Sequence, residues 1–326
     1  MSSEHAPRSL AITGLDSFVG FRIAERYLDS PSPPRVVGID LKVPRRLEGR
    51  LSFHRVDLTE PTADSLVAEV LEKERCDALL HAAFFAEPYP DLEYAHELEV
   101  IGSLHVMNAA SAAGVRRMVV MSTAQVYGAH PDSPGFLTES HPLRPPDEAH
   151  ALRDRAEVEA LLADLAGRNP KLTVTSLRPC WVMGPEVRSQ AVRHLAPARV
   201  TTLLGFDPLM QFLHAEDLLG AVESALSRDA PGAFNLAGDG VLPLSTLIRV
   251  AGKRPWPFPH PLLYRLAYLP AMQRHGEPPA VFYDFLRYPW LVDCTRARHE
   301  LGFRPRYTTK EAWMSFVVSR RMRKYR

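Results

Sequence analysis

Residues 10–20, which read LAITGLDSFVG, constrain the fold more than any other part of the chain. A short apolar run ends at Thr13 and Gly14, and apolar residues resume at helical spacing from Phe18. This pattern predicts a strand, a tight turn and a helix. Such a turn directs backbone N–H groups and the positive end of a helix dipole to a place where a pyrophosphate can bind. Because a glycine turn also occurs in ordinary strand-to-helix connections, the rest of the chain has to decide between the two.

The side chains of this turn depart at one position from the usual dinucleotide-binding pattern. Gly14 permits the sharp bend and Gly20 permits close packing of the helix, whereas Ser17 stands where a further glycine is usual. A side chain there either pushes the loop outward or offers its hydroxyl to the phosphate as a replacement donor. We expect cofactor contacts at Gly14, Ser17, Phe18, Val19 and Gly20.

A carboxylate follows the second predicted strand, about 20 residues beyond the glycine turn. That strand covers 36–39 and leads into Asp40. A carboxylate at this place can accept hydrogen bonds from the ribose hydroxyls of adenosine and repels a 2′-phosphate, so it favours NAD over NADP. Arg45 and Arg46 lie nearby in the sequence and weaken this preference.

Further residues at strand ends are candidates for the same site. A third strand, 51–56, leads into Asp57 and Leu58, which can approach the adenine, although an acid there is equally typical of a helix cap or a loop. A fourth strand, 78–83, ends at Ala82 and Ala83, which should face the cofactor crevice.

Strands and helices alternate along most of the chain, which predicts an α/β fold with a doubly wound parallel sheet of the Rossmann type. The remaining predicted elements are helices at 65–74, 94–113 and 148–166, strands at 118–121, 173–177 and 233–236, and a final helix that follows a capping box formed by Thr308 and Glu311. We assign residues 1–178, with a return segment at 211–240, to an NAD-binding domain. Residues 179–210 and 241–326 then form a smaller α+β substrate-binding lobe.

Composition excludes several other classes of protein. The 326 residues carry a formal charge of +1, which gives no overall field for nucleic acid or an acidic membrane. Cys76, Cys180 and Cys294 are few and scattered, so the sequence predicts neither a disulfide framework nor a metal site, and a reducing cytoplasm fits best. The first residues lack the apolar core of a signal peptide, and no apolar stretch is long enough to form a transmembrane segment.

The ordered motifs together resemble the extended short-chain dehydrogenase/reductases, the NAD-dependent epimerase/dehydratase family. The matching pieces, in order, are TGLDSFVG, GID, HRVDL, LLHAA, STAQVYG, LRPCWVMGP, FLHAEDL and FNLAGDG. The resemblance covers almost the whole chain. It implies NAD as cofactor, a small-molecule ligand in the C-terminal lobe, and a homodimer through the helices at 94–113 and 148–166.

The catalytic residues that the resemblance implies are only partly present. The family uses a hydroxyl residue, a tyrosine that exchanges a proton with the substrate and, four residues later, a lysine that lowers the tyrosine pKa and holds the ribose. Thr123 matches the hydroxyl residue, while Ala151 and Arg155 occupy the tyrosine and lysine positions. A register shifted by one residue gives His150 and Asp154 instead, which does not restore the pair either.

Two functions are compatible with this sequence. The first is an NAD-binding protein that has lost standard catalysis and acts as a cofactor-dependent binding or regulatory protein. The second is an oxidoreductase or epimerase acting on a secondary alcohol with a nonstandard proton donor such as Tyr127, a residue of the family's V-Y-G element. Glu99 stands where the family has an asparagine, and Arg155 could still hold a ribose hydroxyl. The segment 207–214 lacks the arginine common in nucleotide-sugar enzymes, which favours a less polar ligand.

Overall fold

The computed structural model describes residues 6–87, 89–267 and 279–323. Its centre is a seven-stranded, fully parallel sheet. The strands of this sheet are β1 (Ser9–Thr13), β2 (Arg35–Asp40), β3 (Ser52–Arg55), β4 (Ala78–His81), β5 (Arg117–Met121), β6 (Thr173–Pro179) and β11 (Gly232–Leu236). Across the sheet they lie in the order β11-β6-β5-β4-β1-β2-β3. The predicted doubly wound parallel sheet is therefore confirmed.

Helices cover both faces of the sheet because the strands are apolar on both sides. The helices of the described chain are α1 (Phe18–Leu28), α2 (Ala63–Lys73), α3 (Leu92–His96), α4 (Gly102–Ala112), α5 (His150–Arg168), α6 (Gln190–Leu195), α7 (Ala215–Ser227), α8 (Leu244–Val250), α9 (His260–Ala267), α10 (Pro279–Asp284) and α11 (Thr309–Arg323). One apolar core contains residues of α2, α4 and α5. The other contains residues of α1, of α7 and of other elements after residue 179.

The helix predicted at 94–113 contains a feature that periodicity did not indicate. A π-helical turn, Glu97–Ile101, joins α3 to α4, so that the three segments form one continuous helix. Such π-turns are common at functional sites. Here the turn carries Glu99, whose side chain faces inward with only 1% of the residue exposed.

The described strands outside the central sheet form three two-stranded pairs. They are β7 (Trp181–Met183) with β10 (Phe212–His214), β9 (Leu209–Met210) with β12 (Leu242–Pro243), and β8 (Arg199–Leu203) with β13 (Arg254–Phe258). The predicted capping box of α11 is present, because the Thr308 hydroxyl and N–H both donate to Glu311 Oε2 at 2.8 Å. Among the described helices, none combines the length and the apolar character that a membrane crossing requires.

Candidate cofactor and ligand site

The turn between β1 and α1 has no room for side chains at its two glycines. Gly14 has a φ of +76°, and a Cβ there would lie 2.4 Å from the carbonyl carbon of Ala82. A Cβ at Gly20 would lie 2.2 Å from the Gly14 oxygen. Only glycine therefore permits this close approach of strand, turn and helix.

Ser17 closes the turn from within, which differs from both outcomes expected from the sequence. Its hydroxyl donates to the Gly14 oxygen at 2.7 Å and accepts the Gly20 N–H at 3.0 Å. The side chain is thus the N-cap of α1. It does not push the loop outward, and its hydroxyl proton is already used in the bond to Gly14. The N–H groups of Phe18 and Val19 belong to the first turn of α1, have no acceptor within the helix, and fit an anion.

A groove of about 760 Å³ runs from this turn along the carboxyl ends of β2, β3 and β4. Asp40 lies in it, and its carboxylate accepts the Leu41 N–H at 2.6 Å, while burial raises the pKa of the carboxyl group. Asp57 also lines the groove, but its Oδ1 already accepts the backbone N–H of Thr59 at 3.0 Å. The groove also contains three further residues expected from the sequence, which are Leu58, Ala82 and Ala83. The tight glycine turn, the free N–H groups and the ribose-directed acid together fit NAD.

An inner cavity of about 250 Å³ adjoins the groove. Ser17, Phe18 and Ala82 line both spaces. Thr123 lines the cavity, and its hydroxyl accepts the Gln125 N–H at 3.2 Å. The described residues that line this cavity include no Tyr, Lys or His.

The residues of the two sequence registers lie in different places on α5. Ala151 and Arg155 line the inner cavity with Thr123. His150 and Asp154 lie instead along a separate small space, and Asp154 is 3.0 Å from Nδ1 of His96. Among these candidates, the first register alone therefore faces the inner cavity.

Arg155 is held in an ion pair with Glu99. Its Nε and Nη2 donate to the two carboxylate oxygens at 3.1 and 3.2 Å, and the two side chains are only 12% and 2% exposed. Nη2 also donates to the Phe85 oxygen at 3.1 Å, and the guanidinium carbon lies 4.0 Å from the centre of the Phe84 ring. The two residues that the sequence comparison assigns to the asparagine and lysine positions of the family are thus bonded to each other.

Tyr127 is turned away from the inner cavity. The residue is 2% exposed, and its hydroxyl donates to Asn235 Oδ1 at 2.9 Å and accepts a hydrogen bond from Arg178 Nη1 at 2.5 Å. Arg178 is itself paired with buried Glu159 at 2.6 Å. Burial raises the pKa of Tyr127, although the Arg178 charge opposes this rise. These contacts fix the phenol as part of the interior.

The residues that shape the far side of the cavity are not indicated by any sequence pattern. Trp181 and Phe282 stack with ring centres 5.3 Å apart and an angle of 8°, and Phe285 lies beside them. Arg188 is not indicated either, although it lines both the groove and the cavity. A run of aromatic letters marks 282–285, but no spacing rule places these residues opposite α5.

A doubly wound parallel sheet, a glycine turn without room for side chains and an acid at the end of β2 define a dinucleotide-binding Rossmann protein. The model of the NAD dependent epimerase/dehydratase family matches residues 10–237, and the chain belongs to that family. The uncharacterized protein Rv0501 of Mycobacterium tuberculosis is 34% identical to this chain over 327 residues, which cover 98% of this chain and 86% of Rv0501.

Two solved structures share the fold over nearly the whole chain. The UDP-glucose 4-epimerase of Thermotoga maritima, solved with UDP-glucose, has a TM-score of 0.72 at 18% identity and covers 97% of this chain and 99% of its own. The dTDP-glucose 4,6-dehydratase of Bacillus anthracis, solved with NAD, has a TM-score of 0.73 at 15% identity and covers 97% of each chain. At these identities the similarity establishes the architecture.

Proposed function

We propose that this protein binds NAD(H) and holds beside it a small ligand with a largely apolar body, without the tyrosine-based proton transfer of its family. It then acts as a cofactor-dependent binding or regulatory protein. The observation that carries the proposal is the lining of the inner cavity, where the described residues provide no Tyr, Lys or His.

The groove supports the cofactor part of the proposal. Gly14, Gly20 and the first turn of α1 would hold the pyrophosphate, and Asp40 the adenosine ribose. When bound, the nicotinamide supplies an acceptor or donor of hydride. The NAD-bound structure of the Bacillus anthracis relative is consistent with this choice of cofactor.

The catalytic part depends on which groups can exchange a proton. A positioned general acid or base typically contributes about 10²- to 10⁴-fold in rate. Ala151 cannot exchange a proton, and an arginine side chain is not a general acid or base in proteins. The hydroxyl of Tyr127 is engaged by Arg178 and Asn235, so no described contact favours it as the alternative donor. Thr123 can orient a ligand through its hydroxyl.

Binding and turnover are measured on the purified full chain. We expect NADH to bind at least tenfold more tightly than NADPH, a difference of about 1.4 kcal/mol, because Asp40 disfavours a 2′-phosphate. We expect turnover far below about 1 s⁻¹, the lower end of typical enzymes, with nucleotide sugars, sterols and simple secondary alcohols. The binding assay uses the fluorescence of the reduced nicotinamide.

The variant controls separate loss of catalysis from loss of the cofactor. Asp40→Asn should reduce the preference for NADH and leave the fold intact. Turnover near one per second by the wild type, abolished by Tyr127→Phe in a folded protein, would overturn the proposal in favour of an enzyme with a nonstandard proton donor. The homodimer and the cytoplasmic location stay predictions.

A further inference from the structure

We infer that the ligand of the inner cavity carries a phosphate monoester group, which binds in an arginine-rich cleft beside the cavity. This inference rests on the proposed function and names the chemical class of its ligand. The cleft has a volume of about 220 Å³ and lies between the start of α6 and the last turns of α11. Its polar lining residues are Glu87, Arg188, Ser189, Arg193, Ser319 and Arg320.

The cleft adjoins the inner cavity. Glu87, Val187, Arg188 and Ser189 line both of them. A ligand that reaches past these shared residues would place its body in the cavity and one end in the cleft. Arg188 stands at the junction, where it can contact the connecting atoms of such a ligand.

The charge of the cleft matches a dianion. Three arginines and one glutamate line it, which leaves a net charge of +2. Arg193 Nη1 donates to Glu87 at 2.6 Å, while Arg188 and Arg320 form no ion pair within the described part of the chain. A phosphate monoester carries about −1.5 to −2 charges at pH 7 and three acceptor oxygens, and the arginine fork fits it well. A carboxylate would neutralise only half of the excess charge.

The other end of the space favours an apolar body. Trp181, Phe282 and Phe285 form one wall of the inner cavity, with Leu152 on α5 also lining it. Burial of an aryl or alkyl group against this wall removes apolar surface from water, which is favourable. The two ends together therefore select an aryl or alkyl phosphate monoester.

Calorimetric titration of the full chain with phenyl phosphate tests this inference, with and without saturating NADH. Benzoate and phenol serve as ring compounds of lower charge, and inorganic phosphate serves as the anion without a ring. We expect phenyl phosphate to bind at least tenfold more tightly than any of the three. Arg188→Gln and Arg320→Gln should each weaken the binding of phenyl phosphate about tenfold, which corresponds to about 1.4 kcal/mol.

Two further variants sharpen the test. Glu87→Gln removes the negative charge of the cleft and should tighten phenyl phosphate binding about threefold or more, roughly 0.7 kcal/mol. Arg116→Gln is the matched control, because Arg116 is an exposed arginine immediately before β5, at the opposite end of the sheet. It should leave binding unchanged.

Three results would overturn the inference. These are equal affinity for phenyl phosphate and inorganic phosphate, no effect of either arginine substitution, or a loss of NADH affinity in Arg188→Gln as large as the loss for phenyl phosphate. The last result would assign Arg188 to the cofactor. Failure of the proposed function is distinguished by the titration of NADH alone, since phenyl phosphate binding without cofactor still reports on the cleft.

Discussion

Glu99 and Arg155 show how two residue changes can depend on each other. If only one of the two residues were present, its charge would be buried without a partner, because the side chains of Glu99 and Arg155 are 2% and 12% exposed. Together they form a two-point ion pair that also binds the backbone at Phe85. The pair fixes the Arg155 guanidinium beside the inner cavity. Its Nε and Nη2 donate to Glu99 and to the Phe85 oxygen.

This interdependence gives a prediction for the stability of the protein. Glu99→Gln and Arg155→Gln should each lower the free energy of unfolding by about 2 to 4 kcal/mol, near the range for breaking a buried pair but reduced for partial exposure. The double variant should be less destabilised than the sum, with a coupling energy of about 1 to 3 kcal/mol. Urea unfolding of the four proteins measures this. Strict additivity would mean that the pair contributes nothing beyond its separate parts.

At the level of elements, the first helix depends on a side chain where the family pattern has a glycine. Ser17 accepts the Gly20 N–H and donates to the Gly14 oxygen, so it supplies both an N-cap and a clasp across the turn. The departure from the glycine pattern therefore preserves the turn by a hydrogen bond that glycine cannot make.

The cap can be removed in two ways with different expected costs. Ser17→Ala should lower the free energy of unfolding by about 1 kcal/mol, whereas Ser17→Gly should cost only a few tenths of a kcal/mol. Thermal unfolding measures both, and NADH titration runs alongside. No loss of stability in Ser17→Ala would argue that the hydroxyl does not cap α1.

At the level of the whole molecule, one buried histidine links the sheet to the helix that carries Glu99. His81 is fully buried, with Nδ1 2.6 Å from the Thr13 hydroxyl and Nε2 2.8 Å from the Ser103 hydroxyl. The Ser103 hydroxyl in turn donates to the Glu99 carbonyl. Burial lowers the pKa of His81 from 6.5 to about 3.

This pKa predicts a loss of stability in acid. Between pH 6.5 and about 3 the unfolded chain binds a proton at His81 that the folded protein does not. The contribution of neutral His81 is therefore complete above pH 6.5 and is lost as the pH falls, by about 1.4 kcal/mol per pH unit. His81→Asn should be less stable at pH 7 but show a shallower decline from pH 6 to 4. Parallel pH curves for the two proteins would exclude this role for His81.

The sequence alone determined the parts of the protein that depend on neighbours in the chain. Alternating apolar runs predicted the strands and helices of the sheet, and the letters around Gly14 and Asp40 predicted the cofactor groove. The capping box formed by Thr308 and Glu311 could also be predicted from the sequence, because a helix cap is a contact between residues of one turn. Such features follow from local geometry and need no knowledge of distant residues.

The tertiary structure decided everything that depends on residues far apart in sequence. Ala151 and Arg155 line the inner cavity, whereas His150 and Asp154 do not. Arg155 pairs with Glu99, which lies 56 positions away in the sequence, and Tyr127 is buried against Arg178. The tertiary structure also brought Glu87 and Arg320 to one cleft. The physical reason is that periodicity specifies which face of an element is apolar, whereas partners across the core are selected by packing, shape and charge once the elements meet.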